Sequence, residues 1–62
     1  MGNLETSRAR IVARLVAEGW VNLGGKEHDK FVKPGRPSIQ VPRHRTLSPG
    51  VARSIARAAG WK

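Results

Sequence analysis

The sequence predicts an α+β fold in the order helix, three antiparallel strands, helix. Three observations lead there. Apolar residues recur at helical spacing between Ile11 and Val16. The stretches "HDKFVK" and "SIQV" alternate in polarity on either side of a Pro34-Gly35 turn signal. "LSPGVARSIARAAG" carries a helix start and a helix stop. A sheet with one apolar face buries it best beneath both helices. Residues 1–62 are then one small domain.

Thr6 and Ser7 are capping residues for the first helix, which runs to about Glu18. Ile11, Val12, Leu15 and Val16 form its buried stripe, with Leu4 in line if the helix starts earlier. Arg10, Arg14, Ala17 and Glu18 take the other face. Arg8 falls within the stripe, where a long side chain can snorkel out to water. Gly19 ends the helix in a left-handed turn.

Trp20 to about Gly24 reads as a short first strand, broken by the Gly24-Gly25 pair. In the second strand His28, Lys30 and Val32 share one face, and Asp29, Phe31 and Lys33 the other. Pro34 presets one central turn position and Gly35 supplies the positive φ of the next. The third strand, Ser38–Val41, puts Ile39 and Val41 on one face, and Pro42 ends it. Ser48 is the N-cap of the second helix, Pro49 its first residue and Leu47 the apolar residue before the cap. Val51, Ile55, Ala58 and Ala59 form its buried stripe, with Arg53 and Arg57 outside. Gly60 ends it, and Trp61 folds back as an apolar anchor.

Composition narrows the function. Twelve Lys and Arg residues stand against four Asp and Glu, a formal charge of +8, which points to a polyanionic partner. The chain has no cysteine, so no disulfide or thiolate metal site is expected. Two histidines and four scattered acids do not spell a zinc or calcium site, and no cofactor is expected. No apolar run approaches a bilayer span, and "MGNLETSRAR" has no apolar signal core, so a cytoplasmic location is expected. Gly2 and Thr6 match a myristoylation pattern only at chance level.

With Phe31 under the helices, His28 and Lys30 stand on the open face of the sheet. Histidine suits proton transfer near neutral pH. Glu27 and Asp29 flank it, and either carboxylate close to the imidazole favours its charged form, modestly because adjacent strand residues face opposite ways. Lys30, Arg43 and Arg45 are candidates to grip phosphates, with Lys26 a further basic neighbour of His28. His44 reads as a loop histidine supporting the last helix rather than a second acid or base. Gly24-Gly25-Lys26 lacks the spacing of a phosphate loop. Phe31, Trp20 and Trp61 read as core rather than as base-stacking platforms.

Several pieces, in order, resemble the HicA family of small RNA-cleaving toxins from bacterial HicAB toxin–antitoxin systems. They are the first helix ending in Gly19-Trp20, "GKEHDKF", "VPRH" at the third strand's end and "LSPGVARSIARAAGW" as the closing helix. Glu27 and Pro34-Gly35-Arg36-Pro37 depart from the family's usual small residue and Pro-Asp-Gly turn. The resemblance implies a double-stranded-RNA-binding-domain-like α-β-β-β-α fold. It implies a metal-independent endoribonuclease acting on mRNA with His28 as the single catalytic residue. Lys26, Lys30, Arg43 and Arg45 are then the expected RNA-binding residues. It also implies a HicB-like antitoxin that covers His28, and the toxin alone is expected to be a monomer. Two other readings fit the charge: a non-catalytic RNA-binding module of the same fold, and an interaction protein whose basic surface serves an acidic antitoxin.

Overall fold

A computed structural model describes residues 4–61. Gly2, the myristoylation candidate, lies outside the described residues. The chain forms a helix α1 at Arg8–Ala17, strands β1 at Val21–Asn22, β2 at His28–Val32 and β3 at Ile39–Pro42, and a helix α2 at Pro49–Ala59. The strands pair antiparallel in the order β1-β2-β3. The register sets His28 opposite Pro42, Asp29 opposite Val41, Lys30 opposite Gln40 and Phe31 opposite Ile39.

That register sorts the sheet into two faces. Phe31, Ile39 and Val41 join Ile11 and Leu15 of α1 and Ala52, Ile55 and Ala59 of α2 in one core, closed by Trp20 and Leu47. Both helices therefore cover the same face, as the alternation in β2 and β3 predicts. His28, Lys30 and Gln40 lie exposed on the other.

Both helices end alike. Gly19 and Gly60 adopt positive φ. The Trp20 N–H then donates to the Leu15 carbonyl at 3.0 Å and the Trp61 N–H to the Ala56 carbonyl at 2.7 Å, closing the same six-residue cap. Trp20 is buried, whereas Trp61 is half-buried and latches α2 onto α1: its Nε1–H donates to Glu18 Oε1 at 2.7 Å, and Arg14 sits 4.2 Å from its ring centre. At the other end of α2, Ser48 Oγ accepts from the Val51 N–H at 3.3 Å, the expected cap. Arg36 N–H donates to the Lys33 carbonyl at 3.1 Å, closing the Pro34-Gly35 turn.

Four expectations need correction. Val16 is 56% exposed. It lies about 100° around the helix from Leu15, beyond the width that three short strands cover. The buried stripe of α2 centres on Ala52, Ile55 and Ala59, with Val51 and Ala58 only half-buried. Strand β1 is shorter than Trp20–Gly24 because the Trp20 N–H closes the α1 cap, although the Leu23 N–H still reaches the Lys30 carbonyl at 2.7 Å. Arg8 does not snorkel out. Its Nε donates to the Pro42 carbonyl at 2.9 Å and its Nη2 pairs with Asp29 Oδ2.

The segment joining β3 to α2 is tied to the entrance of α1. Arg8 N–H donates to the Arg45 carbonyl at 3.0 Å and Leu47 N–H to the Thr6 carbonyl at 2.8 Å, around a bridge between Ser7 and Thr46. No helix among the described residues is long and apolar enough to cross a membrane.

Candidate functional site

His28 is the first residue of β2 and is exposed on the face away from the helices. Three depressions meet at it. The first, about 460 Å³, is lined by Gly24, Gly25, Lys26, Glu27 and Lys30 beside His28, and by Gln40 of β3. The second runs along Lys26 and Glu27 to Pro42, Arg43 and His44. The third lies between β3 and α2, with His28 and Gln40 on one wall and Gly50, Val51 and Ser54 on the other.

The loop before His28 is fixed by two devices. A side chain at Gly25, whose φ is +154°, would drive its Cβ into the His28 carbonyl oxygen. Only glycine lets the chain pass that close. Arg43 then holds the same loop from β3, donating from Nη2 to the Gly25 carbonyl at 2.6 Å and from Nη1 to the Lys26 carbonyl at 3.1 Å.

Asp29 completes the clamp from below. Its side chain points to the helix-covered face and is buried. Arg43 donates to Oδ1 through Nε at 3.1 Å and Nη2 at 2.7 Å, and Arg8 pairs with Oδ2. The hydrogen bond from Arg43, reinforced by the positive charges of Arg43 and Arg8, holds the Asp29 carboxyl below its ordinary range against the opposing effect of burial. At the far end of the molecule the Trp61 hydrogen bond does the same for Glu18.

These contacts redistribute the predicted residues. Lys26, His28 and Lys30 come together around one depression. Glu27 shares it. Asp29 does not: the expectation that it biases the imidazole is corrected by its position through the sheet, where two arginines occupy both its oxygens. Arg43 spends most of its donors on the protein, as part of the scaffold under the loop. Arg45 is exposed on the β3–α2 connection and lines none of the three depressions. His44 shares the second depression with His28. Phe31 and Trp20 are buried in the core, leaving neither ring free to stack on a base.

Residues 8–61, from the start of α1 to Trp61, match the family described as the HicA toxin of bacterial toxin–antitoxin systems. The chain belongs to the HicA toxin family. The match spans both helices and all three strands, so it covers the whole frame that presents His28. No curated protein and no solved structure gave a match. Membership in the HicA family makes the chain the toxin half of a pair, and the pair implies an antitoxin partner.

Sequence reasoning missed two residues that hold the strand and loop around His28. Arg8 carried no signal beyond its position in an apolar stripe. Asp29 did carry one: an acid on the core-facing register of a strand requires a buried partner.

Proposed function

We propose that this HicA toxin is an endoribonuclease that cuts mRNA without a metal ion, with His28 as the proton-transfer residue. The observation that carries the reading is an exposed imidazole at the meeting point of three depressions, with Lys26 and Lys30 beside it. In the reaction the ribose 2′-oxygen bonds to the adjacent phosphorus and the bond from phosphorus to the 5′-oxygen breaks. His28 takes the 2′-hydroxyl proton and becomes imidazolium, a solvent water gives its proton to the departing 5′-oxygen, and the resulting hydroxide is neutralised as the imidazolium returns its proton to solvent. Lys26 and Lys30 balance the charge on the phosphate oxygens. Dependence on the 2′-hydroxyl restricts the reaction to RNA. Arg45 extends the positive surface, and Arg43 serves by keeping the loop in place.

A HicB-like antitoxin that covers the open face, His28 included, silences the toxin. The net charge of +8 favours fast capture by an acidic partner. Binding of the antitoxin is expected to protect His28 from imidazole-modifying reagents.

The test is incubation of wild type and His28→Ala with mRNA in a chelator. Wild type is expected to leave 2′,3′-cyclic phosphate and 5′-hydroxyl ends. His28→Ala is expected to cut on the order of 10²–10⁴-fold more slowly and to bind RNA about as tightly. Binding by both proteins with cutting by neither would instead establish a non-catalytic RNA-binding module.

A further inference from the structure

The depression between β3 and α2 is chemically unlike the one on the other side of His28. Its lining includes His28, Gln40, Pro42, Gly50, Val51 and Ser54, and no Lys, Arg, Asp or Glu. The lysines lie in the neighbouring depression, and His28 and Gln40 are common to both. His28 and Gln40 therefore border both depressions, diagonally across β2 and β3, with Lys30 directly opposite Gln40. A nucleotide has the same division: an anionic phosphate on one side of the ribose and an uncharged hydrogen-bonding ring on the other. A phosphate seated against Lys26 and Lys30, with its ribose at His28, leaves the base to enter the uncharged groove.

Gly50 supplies a second, independent observation. It lies in the first turn of α2, and its backbone has no positive φ that calls for glycine. A Cβ there would meet nothing within 4 Å. Gly50 is exposed at the second position of α2, so no packing contact calls for its small size. What its small size does provide is open space in the wall of the groove facing Gln40. The Gln40 amide offers a donor and an acceptor together, the combination that reads the edge of an unstacked RNA base, and the Ser54 hydroxyl stands on the opposite wall.

We infer that the groove between β3 and α2 holds one nucleobase next to the cut phosphodiester, and that Gln40 reads its hydrogen-bonding edge. This rests on the nuclease reading above and assigns sequence preference to the groove whose lining has no lysine, with Gln40 at its border with the phosphate side. Gly50 leaves room for the ring and Ser54 hydrogen-bonds it from the helix.

The test has two readouts. Cleavage sites of wild type, Gln40→Ala and Gly50→Leu are mapped on a randomised RNA. Gln40→Ala is expected to weaken the base preference at one position beside the cut about tenfold, the discrimination carried by a paired amide contact. Gly50→Leu, a better helix former, is expected to fold at least as stably and to alter the preference at the same position. The second readout is an NMR titration of His28→Ala with a short RNA and with an abasic copy of it. The intact RNA is expected to shift the Gly50, Val51 and Ser54 backbone amides of the groove wall, and the abasic copy to leave them in place while shifting the Lys26, Lys30 and Gln40 side. Unchanged site preferences in both variants, or identical shifts from both RNAs, would overturn the inference while leaving the nuclease reading intact. Base-dependent shifts in a protein whose wild type does not cut would uphold the groove and overturn the nuclease.

Discussion

Arg43 and Asp29 meet at a single oxygen: Nε at 3.1 Å and Nη2 at 2.7 Å both donate to Oδ1, while Arg8 takes Oδ2. The strand that shows His28 to solvent is thus anchored, one residue on, by a carboxylate between two guanidinium groups on its reverse side. Asp29→Asn leaves both arginines without their anion. It is expected to lower the melting temperature by several degrees. Because Arg43 also holds the Gly25 and Lys26 carbonyls, amide exchange across Gly24–Glu27 is expected to accelerate. Exchange as slow as wild type would show that the clamp does not hold the loop.

The same pair sets an acid limit. The Asp29 carboxyl lies below its ordinary value in the folded chain, chiefly through the Arg43 hydrogen bond, and returns to that value on unfolding. Its contribution to stability is therefore complete above the unfolded pKa and is lost as the pH falls through the folded one. The melting temperature is expected to hold from neutral pH down to about pH 4 and to drop below it. In Asp29→Asn that drop is expected to be shallower, with a residue left from Glu18, whose carboxyl is lowered in the same sense by Trp61. A thermal melt at stepped pH measures both.

Gly24 and Gly25 are expected to respond differently to alanine. A Cβ at Gly24 meets nothing within 4 Å, so only its φ of +76° matters. The cost of a left-handed alanine is about 1–2 kcal/mol. At Gly25 the added Cβ collides with the His28 carbonyl. Gly25→Ala is expected to cost more in a urea melt and to abolish RNA cutting at temperatures where the chain is still folded. Equal activity of the two variants would mean that the loop's path does not position His28.

Lys26 and Lys30 are assigned to phosphate, and Arg43 to the fold. For single-stranded RNA each lost phosphate contact reduces the slope of log affinity against log salt by ~0.7. Lys26→Gln and Lys30→Gln are each expected to show that change with an unaltered melting temperature. Arg53→Gln, on the exposed side of α2, is expected to leave the slope alone. Arg43→Gln is expected to move the melting temperature more than the slope. The opposite result for Arg43 would return it to the phosphate contacts.

Most of the frame was legible because its signals are local. Strand alternation has a period of two residues, so the opposite orientations of His28 and Phe31 follow from a few positions of sequence. The Ser48-Pro49 start, the Pro34-Gly35 turn and the glycine stops are equally short-range. The clamp was not legible, because Asp29 lies 21 positions from Arg8 and 14 from Arg43 and nothing local pairs them. For the same reason Arg43 looked no different from Arg45, two positions on. The uncharged groove depends on how α2 lies against β3, an angle that no stretch of either element encodes alone.

Alternate side chains along β2 answer to different masters. Asp29 and Phe31 are constrained by the interior, His28 and Lys30 by whatever the molecule touches. Substitution of an outward residue therefore leaves the packing beneath it in place, so changes on this face are expected to alter what the molecule touches without a matching change in the core.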